Sequence, residues 1–215
     1  MVIVMAEPQS SDDFLVERAA AGDEQALALL FDRHRYRLRQ MVRLRLDRRL
    51  QGRIDPSDVL QEAFLDLSRE LPSYSQKQSI PLFLWMRLVT GQRLMQVHRR
   101  HLGTEMRDAA RDVALYHGAL PQAASASLAA QLLGHYTSAG AAAVRAEIQL
   151  QLQEALNSMD ELDREIIALR NFEELDNHEA AEVLGLSPDA ARKRYVRALK
   201  RLQEVLSRFP GLIEP

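Results

Sequence analysis

The stretch Asp176–Leu206, DNHEAAEVLGLSPDAARKRYVRALKRLQEVL, decides the fold of the C-terminal part of the chain. Asp176 and Glu179 have the spacing of a capping box, in which side chains at a helix start hydrogen bond to the backbone. Gly185 then permits the left-handed conformation that a tight turn needs. Ser187–Pro188 is typical of the start of a second helix, because serine caps it and proline suits its first position. Two helices joined by a short glycine-containing turn predict a helix-turn-helix.

The second helix of this unit is predicted to be amphipathic and basic. Its apolar residues recur every three or four positions and form one stripe: Ala191, Tyr195, Leu199, Leu202 and Leu206. Ala190–Arg208 contains seven basic residues and one acid, whereas Glu154–Glu182 contains ten acids and two arginines. A basic recognition helix can enter the major groove of DNA, where arginine pairs with guanine and lysine neutralises phosphate. The alternative is a solvated basic face on a packed helix.

The charge of the whole chain conceals this segregation. Its 215 residues include 28 basic and 30 acidic side chains, which give a net charge of -2 and a pI of about 6.3. Taken as one number, that balance is atypical of a nucleic-acid-binding domain, whose pI is usually above about 9. The chain has no cysteine, which excludes disulfides, thiolate metal sites and a cysteine nucleophile. Because no signal-peptide pattern or membrane-length apolar run occurs, we expect a cytoplasmic protein.

The middle of the chain differs in composition from both flanks. Residues 113–144 include no Asp, Glu, Lys or Arg and are rich in Ala, Ser and Gln. We predict an all-α fold in which this segment is a flexible linker, with a short helix near Ser127–Leu133, between small helical domains at 10–112 and 145–210. The alternative is a packed Ala-rich helix that completes one domain. The predicted helices are Asp12–Ala21, Glu24–Leu50, Pro56–Leu71, Ile80–Leu102, Arg145–Asn157, Leu162–Asn171, His178–Leu184 and Pro188–Arg208.

Two helices of the N-terminal domain have polar faces that suggest binding. Asp58, Gln61 and Glu62 share one helix face, which suits a basic protein partner or is ordinary solvated surface. The following helix has polar residues that can reach nucleic acid: Arg87, Gln92, Arg93, Gln96, Arg99 and Arg100. Phe83 and Trp85 can stack on exposed bases, although such aromatics are more often in the core, where we expect Phe83.

The order of these motifs resembles the extracytoplasmic-function (ECF) group of bacterial sigma-70-type RNA polymerase sigma factors. Residues 55–65, DPSDVLQEAFL, are similar to the region-two helix of that family, usually D-x-x-D-x-x-Q-E-x-F. Phe83–Trp85 followed by His98–Arg100 resembles the segment that opens and reads the minus-ten element. Residues 163–202 resemble region four. The similarity covers roughly Asp12–Arg111 and Glu147–Ser207.

This resemblance implies a role for each motif. The residues expected to contact the β′ clamp helices of core polymerase are Asp58, Gln61 and Glu62. The β flap is the second expected polymerase contact. Minus-ten binding falls to Trp85, Arg87, Gln92, Arg93, Gln96, Arg99 and Arg100. Minus-thirty-five binding falls to Ser187, Arg192, Lys193, Arg194, Arg197 and Arg201. The linker is expected near the active cleft and the RNA exit path of the polymerase.

The remaining implications concern partners and specificity. Promoter DNA is an expected partner and an anti-sigma factor a further one, although no separate motif for the latter is present. No catalytic residue, metal or cofactor is implied, because the polymerase performs the chemistry. Gly91 and Gln96 depart from the family, which often has arginine or asparagine and aspartate there, and this departure bears on promoter specificity.

Two other classes of function compete with this interpretation. A stand-alone helix-turn-helix regulator shares the C-terminal half but leaves the face formed by Asp58, Gln61 and Glu62 unexplained. An enzyme is disfavoured, because the six histidines are scattered and no HExxH motif, phosphate-binding loop or nucleophile elbow is present.

Overall fold

The computed structural model describes residues 8–102, 120–134 and 142–207, and these ranges contain helices and no β-strand. This confirms the all-α prediction. The helices are α1 (Pro8–Ala20), α2 (Glu24–Arg45), α3 (Pro56–Lys77), α4 (Leu82–Leu102), α5 (Ser125–Gly134), α6 (Ala142–Asn157), α7 (Glu161–Ile167), α8 (Asn177–Leu184) and α9 (Pro188–Leu206). Residues 168–172 continue α7 as a π-helical turn. None of the described helices is both long and apolar enough to cross a membrane.

The helix-turn-helix forms as its sequence predicts. Asp176 and Glu179 make both hydrogen bonds of a capping box at the start of α8. Gly185 ends α8 with a φ of 64°, in the left-handed region that favours glycine. Ser187 accepts a 3.2 Å hydrogen bond from the backbone N–H of Ala190 and so caps α9. Local sequence therefore determines this unit.

Two helices of the N-terminal part differ from their predicted lengths. The predicted helix to Leu50 ends at Arg45, because Leu46 is extended and Asp47 accepts a backbone hydrogen bond from Arg49 in the turn that follows. Conversely, α3 continues past Pro72 to Lys77. A proline inside a helix removes one hydrogen bond, but Tyr74 stacks on Trp85 with ring centroids 4.5 Å apart and supports the last turn.

We call α1–α4 the N-terminal unit and α6–α9 the C-terminal unit. The core of the N-terminal unit also includes Leu169, Leu175 and Ala180 from the C-terminal unit. Reciprocally, Leu44 of α2 packs in the core of the C-terminal unit. The two units therefore share apolar packing instead of standing apart. The domain boundaries at 10–112 and 145–210 stay a prediction.

Part of the predicted flexible linker is a packed helix. Helix α5 buries Leu128, Ala129 and Leu133 against α6 and the rest of the C-terminal core. Just before it, the N–H of Ala124 donates a 3.0 Å hydrogen bond to the carbonyl of Leu44. The uncharged composition favours burial as much as flexibility, so the alternative of a packed Ala-rich helix fits this part. Two parts of the predicted linker, 113–119 and 135–141, lie outside the described residues, while 142–144 are the start of α6.

Candidate nucleic-acid interface

The outward face of α9 is a continuous basic stripe. Its exposed residues follow the three-and-four spacing of one helix face: Asp189, Arg192, Lys193, Val196, Arg197 and Lys200. The first five line a shallow open depression. This face includes Arg192, Lys193 and Arg197 of the predicted minus-thirty-five contacts. Ser187 lies at its start, with its hydroxyl engaged in the helix cap.

Two of the predicted DNA contacts are held by acidic residues of the same unit. Asp163, whose side chain is 4% exposed, accepts hydrogen bonds of 2.8 Å from Arg194 and 2.6 Å from Arg201. Arg194 also donates a 2.9 Å hydrogen bond to Asp160. Arg194 is therefore mainly an internal ion-pair partner that fixes α9 on α7. Arg201 is half exposed.

Val196 is an exposed residue of this face that the sequence analysis did not single out. It is 60% exposed in the middle of the basic stripe, between the charged residues of the preceding and following turns. A solvated β-branched side chain on a recognition helix is suited to contact the methyl group of thymine. The signal was present in the sequence, because Val196 is apolar but falls outside the apolar stripe of α9.

On α4 the predicted minus-ten residues divide into exposed and paired groups. Gln92, Gln96, Arg99 and Arg100 are exposed along one side of the helix. The Arg93 side chain is only 16% exposed, and it pairs with Asp66 and, at 3.2 Å, with Glu62, both on α3. Gly91 is buried, and a Cβ there would overlap the side chain of Leu120 from the predicted linker. The departure at Gly91 therefore has a packing role.

The other two predicted minus-ten residues, Trp85 and Arg87, are buried. Trp85 is 8% exposed and stacks on Tyr74. Arg87 donates a 2.7 Å hydrogen bond from Nε to Glu173, which lies in the C-terminal unit. In this conformation neither side chain can contact DNA, although the sequence analysis assigned both of them to minus-ten binding. Their role in minus-ten binding stays a prediction that requires the two units to separate.

Arg87 belongs to a buried ionic cluster between the units, formed by Arg45, Arg87, Glu165 and Glu173, which we call the interdomain cluster. Arg45 of α2 hydrogen bonds to both Glu165 and Glu173, and its side chain is fully buried. Burial opposes the charge on Arg45, but the two carboxylates outweigh it and raise the pKa of Arg45. Burial likewise opposes ionisation of Glu173, but Arg45 and Arg87 lower its pKa. All the charges in this cluster are thus compensated by partners from the other unit.

The predicted polymerase-binding residues lie together on α3. Asp58 and Gln61 are exposed, while Glu62 is half exposed. Asp58 also completes the capping box of α3, accepting a 3.3 Å hydrogen bond from the N–H of Asp55. Glu62 lies 3.2 Å from Arg93 and 3.8 Å from Arg100 of α4. The predicted polymerase face and the predicted minus-ten face are therefore adjacent and linked by ion pairs.

The described residues contain no group of three or more histidines and carboxylates arranged to hold a metal ion. His98, the most buried histidine of α4, accepts a 3.2 Å hydrogen bond from the backbone N–H of Asp47 through Nε2. Burial lowers its pKa, as does Arg49, while Asp47 acts in the opposite direction. It is a neutral structural side chain in this arrangement.

Comparison with known proteins agrees with the expected class. Residues 149–202 match the family model for sigma-70, region 4. The chain is 26% identical over 192 residues to the ECF RNA polymerase sigma factor SigD of Mycobacterium bovis and to SigD of Mycobacterium tuberculosis. These alignments cover 89% of this chain and 82% of each relative.

The fold also has a solved counterpart. The structure of CnrH in complex with the cytosolic domain of CnrY superimposes with a TM-score of 0.55 at 22% identity, over 93% of this chain and 99% of that chain. The region-four match falls on the helix-turn-helix, and the similarity to SigD extends through both units. The chain is thus similar to ECF sigma factors over most of its length, and its C-terminal unit matches the sigma-70, region 4 family.

Proposed function

We propose that this protein binds core RNA polymerase and directs it to promoters with two elements, through α3 and α4 at the minus-ten element and α9 at the minus-thirty-five element. The observation that carries the proposal is the coexistence of two distinct polar surfaces on one chain. A stand-alone regulator needs the basic stripe of α9 but has no use for the α3 face beside it.

The proposed polymerase contact is the face formed by Asp58, Gln61 and Glu62, with the β′ clamp helices as its partner. An acidic and amide surface suits a basic protein surface, and its position next to α4 brings the polymerase close to the melted DNA. The β flap is the proposed second contact, made by the C-terminal unit. An anti-sigma factor remains a predicted partner.

The proposed first contacts with the minus-ten element are the residues of α4 that are exposed while the two units are packed together: Gln92, Gln96, Arg99 and Arg100. Arginine and glutamine can hydrogen bond to phosphates and to the edges of unpaired bases. Arg93 is proposed as an additional contact that is released from Asp66 when DNA approaches. Trp85 would contribute stacking only after the units separate.

At the minus-thirty-five element, the proposed reading surface is the outward face of α9. Arg192, Lys193 and Arg197 supply positive charge and base-edge donors, and Val196 supplies an apolar contact to thymine. Arg201 is proposed as a phosphate contact at the far end. Arg194 is proposed to act through the position of α9, because its guanidinium is engaged by Asp160 and Asp163.

The test is complex formation followed by directed transcription. Purified protein is mixed with sigma-free bacterial core polymerase, and the complex is isolated by gel filtration and supplied with genomic DNA fragments. We expect a stoichiometric complex that produces transcripts from discrete starts. A protein that binds DNA fragments alone but never joins core polymerase would instead be a stand-alone regulator.

A further inference from the structure

We infer that a cavity beside the start of α3 binds a small phosphorylated molecule, a ribonucleoside diphosphate, through Arg43 and Arg53. The cavity lies between α5 and the turn that joins α2 to α3, and its volume is about 470 Å³. Pockets that bind small molecules usually measure about 300–1,000 Å³. Of the residues that line the cavity, only Asp58 also belongs to a surface of the proposed function, so the inference goes beyond that function.

The first support is the state of the two arginines that line the cavity. Arg43 lies in the last turn of α2 and Arg53 in the turn that follows, and both are exposed. Within the described residues neither guanidinium has an ion-pair or hydrogen-bond partner, whereas Arg37 and Arg45 of α2 are both paired with glutamates. A guanidinium binds phosphate through parallel N–H donors, so two free guanidiniums in one concave site are suited to two linked phosphates.

The second support is that the two acidic residues of the cavity are engaged at the start of α3. Asp55 accepts a 2.7 Å hydrogen bond from the N–H of Ser57, and Asp58 accepts one of 3.3 Å from the N–H of Asp55. Both carboxylates therefore lie at the positive end of the helix dipole, which offsets part of their charge. The hydrogen bonds from Ser57 lower the pKa of Asp55, and the nearby positive charge of Arg39 adds to this effect. The surroundings of the cavity thus favour an anion.

The third support is the remainder of the cavity wall. Ser127 of α5 is 6% exposed, and its Oγ accepts a 3.3 Å hydrogen bond from the side-chain amide of Gln51. The described residues offer no acceptor for the hydroxyl proton of Ser127, so this buried group can donate to a ligand. Four residues supply apolar surface on which a planar base can lie: Leu46, Ile54, Pro56 and Ala130. This combination suits phosphates that carry a base better than an inorganic ion alone.

The experiment measures ligand binding to the free, full-length protein by isothermal titration calorimetry. The probes are ADP, GDP, CDP and UDP, together with the four matching nucleosides and inorganic pyrophosphate. We expect at least one diphosphate to bind with one site per chain. It should bind at least about tenfold more tightly than its nucleoside and than pyrophosphate, because each of these lacks one half of the contacts.

Substitutions then assign the binding to the cavity. Arg43→Met and Arg53→Met should each weaken diphosphate binding by about tenfold, because each removes a charge-assisted contact to phosphate. Arg48→Met is the matched control, because Arg48 is exposed in the same turn but does not line the cavity. Ala130→Leu leaves every arginine in place and fills the cavity from α5, so it should abolish binding. Melting temperatures by circular dichroism show that each variant is folded.

Two results would overturn the inference. One is the absence of saturable binding by all four diphosphates at millimolar concentration. The other is an affinity that falls no further in Arg43→Met and Arg53→Met than in Arg48→Met.

The competing role for these arginines is contact with the phosphate backbone of a nucleic-acid strand. It predicts weaker binding of a labelled single strand by Arg43→Met and Arg53→Met, no effect of Ala130→Leu, and no binding of diphosphates. That set of results would also overturn the inference. Failure of the proposed function appears separately, as an absence of complex with core polymerase, because the calorimetry uses the free protein.

Discussion

Arg194 on α9 donates a 2.8 Å hydrogen bond to Asp163 on α7, a carboxylate that is 4% exposed. This contact divides the arginines of α9 into two kinds. Arg194 holds the helix in place, while Arg197, one turn later, faces solvent on the basic stripe.

The two kinds should respond differently to substitution. Arg194→Met leaves Asp163 with Arg201 as its remaining ion-pair partner and should reduce the free energy of unfolding by about 1–3 kcal/mol. Arg197→Ala should leave unfolding unchanged but weaken promoter binding by about 1–3 kcal/mol if it contacts a base. Urea unfolding and holoenzyme binding to a promoter fragment measure the two effects. Loss of DNA binding by Arg194→Met at full stability would make Arg194 a direct contact.

Val196 should read a thymine methyl group. Val196→Ala should weaken binding to the selected minus-thirty-five element by about 0.8 kcal/mol, roughly fourfold, for a lost methyl-sized contact. Replacing each thymine of that element by deoxyuridine removes the matching methyl from the DNA. At one position the effect of deoxyuridine should be present in the original protein and absent in Val196→Ala. If the effects of the two changes on the binding free energy add at every position, Val196 contacts no thymine.

Glu62 should contribute to polymerase docking. Glu62→Lys places a like charge against a basic partner, which costs several kcal/mol when the charges are close, so core affinity should fall by at least about tenfold. Glu17→Lys is the matched reversal on the exposed surface of α1. Fluorescence titration with core polymerase compares them. Because Glu62 also pairs with Arg93, melting temperatures are compared in parallel; equal core affinity of the two folded variants would remove Glu62 from the docking face.

Helix α5 should behave as part of the core. Leu128 is buried, and Leu128→Ala should lower the free energy of unfolding by about 2–5 kcal/mol. Leu150→Ala is the control, because Leu150 is exposed and its truncation should change stability far less. Denaturant unfolding measures both variants. A negligible effect of Leu128→Ala would mean that α5 is a loosely attached linker in solution.

Stability should decline on mild acidification because of His98. Its pKa is lowered by burial, so the unfolded chain binds a proton more readily than the folded chain. The stabilising contribution is therefore complete above the ordinary histidine pKa of about 6.5 and is lost as the pH falls through the lowered value. The pH dependence of urea unfolding, compared with His98→Gln, measures this contribution. Identical profiles for the two proteins would assign the decline to other groups.

The local parts of this structure were predictable from sequence. Capping residues and glycine at the turn determine α8 and α9 through contacts a few residues away, as Asp176 and Gly185 illustrate. The burial of Phe83 follows from its apolar surroundings and was also expected. The resemblance to ECF sigma factors, with which the comparisons agree, rested on several motifs in the right order.

Contacts between distant residues were not predictable in the same way. Arg87 and Glu173 are far apart in the chain, and nothing in the local pattern marks either as buried. An arginine on a polar helix face looks alike in sequence whether it binds DNA or a carboxylate of another unit. The packed helix α5 was underestimated for a similar reason, because its small apolar residues suit a linker and an interface equally.

Transcription start mapping tests the central claim most directly. Core polymerase is incubated with fragmented genomic DNA in the presence and absence of the protein, and the 5′ ends of the transcripts are sequenced. The sigma-factor account predicts new, discrete starts that share two upstream sequence elements, and loss of one element's enrichment in Arg197→Ala. Scattered starts that are the same with and without the protein would contradict it.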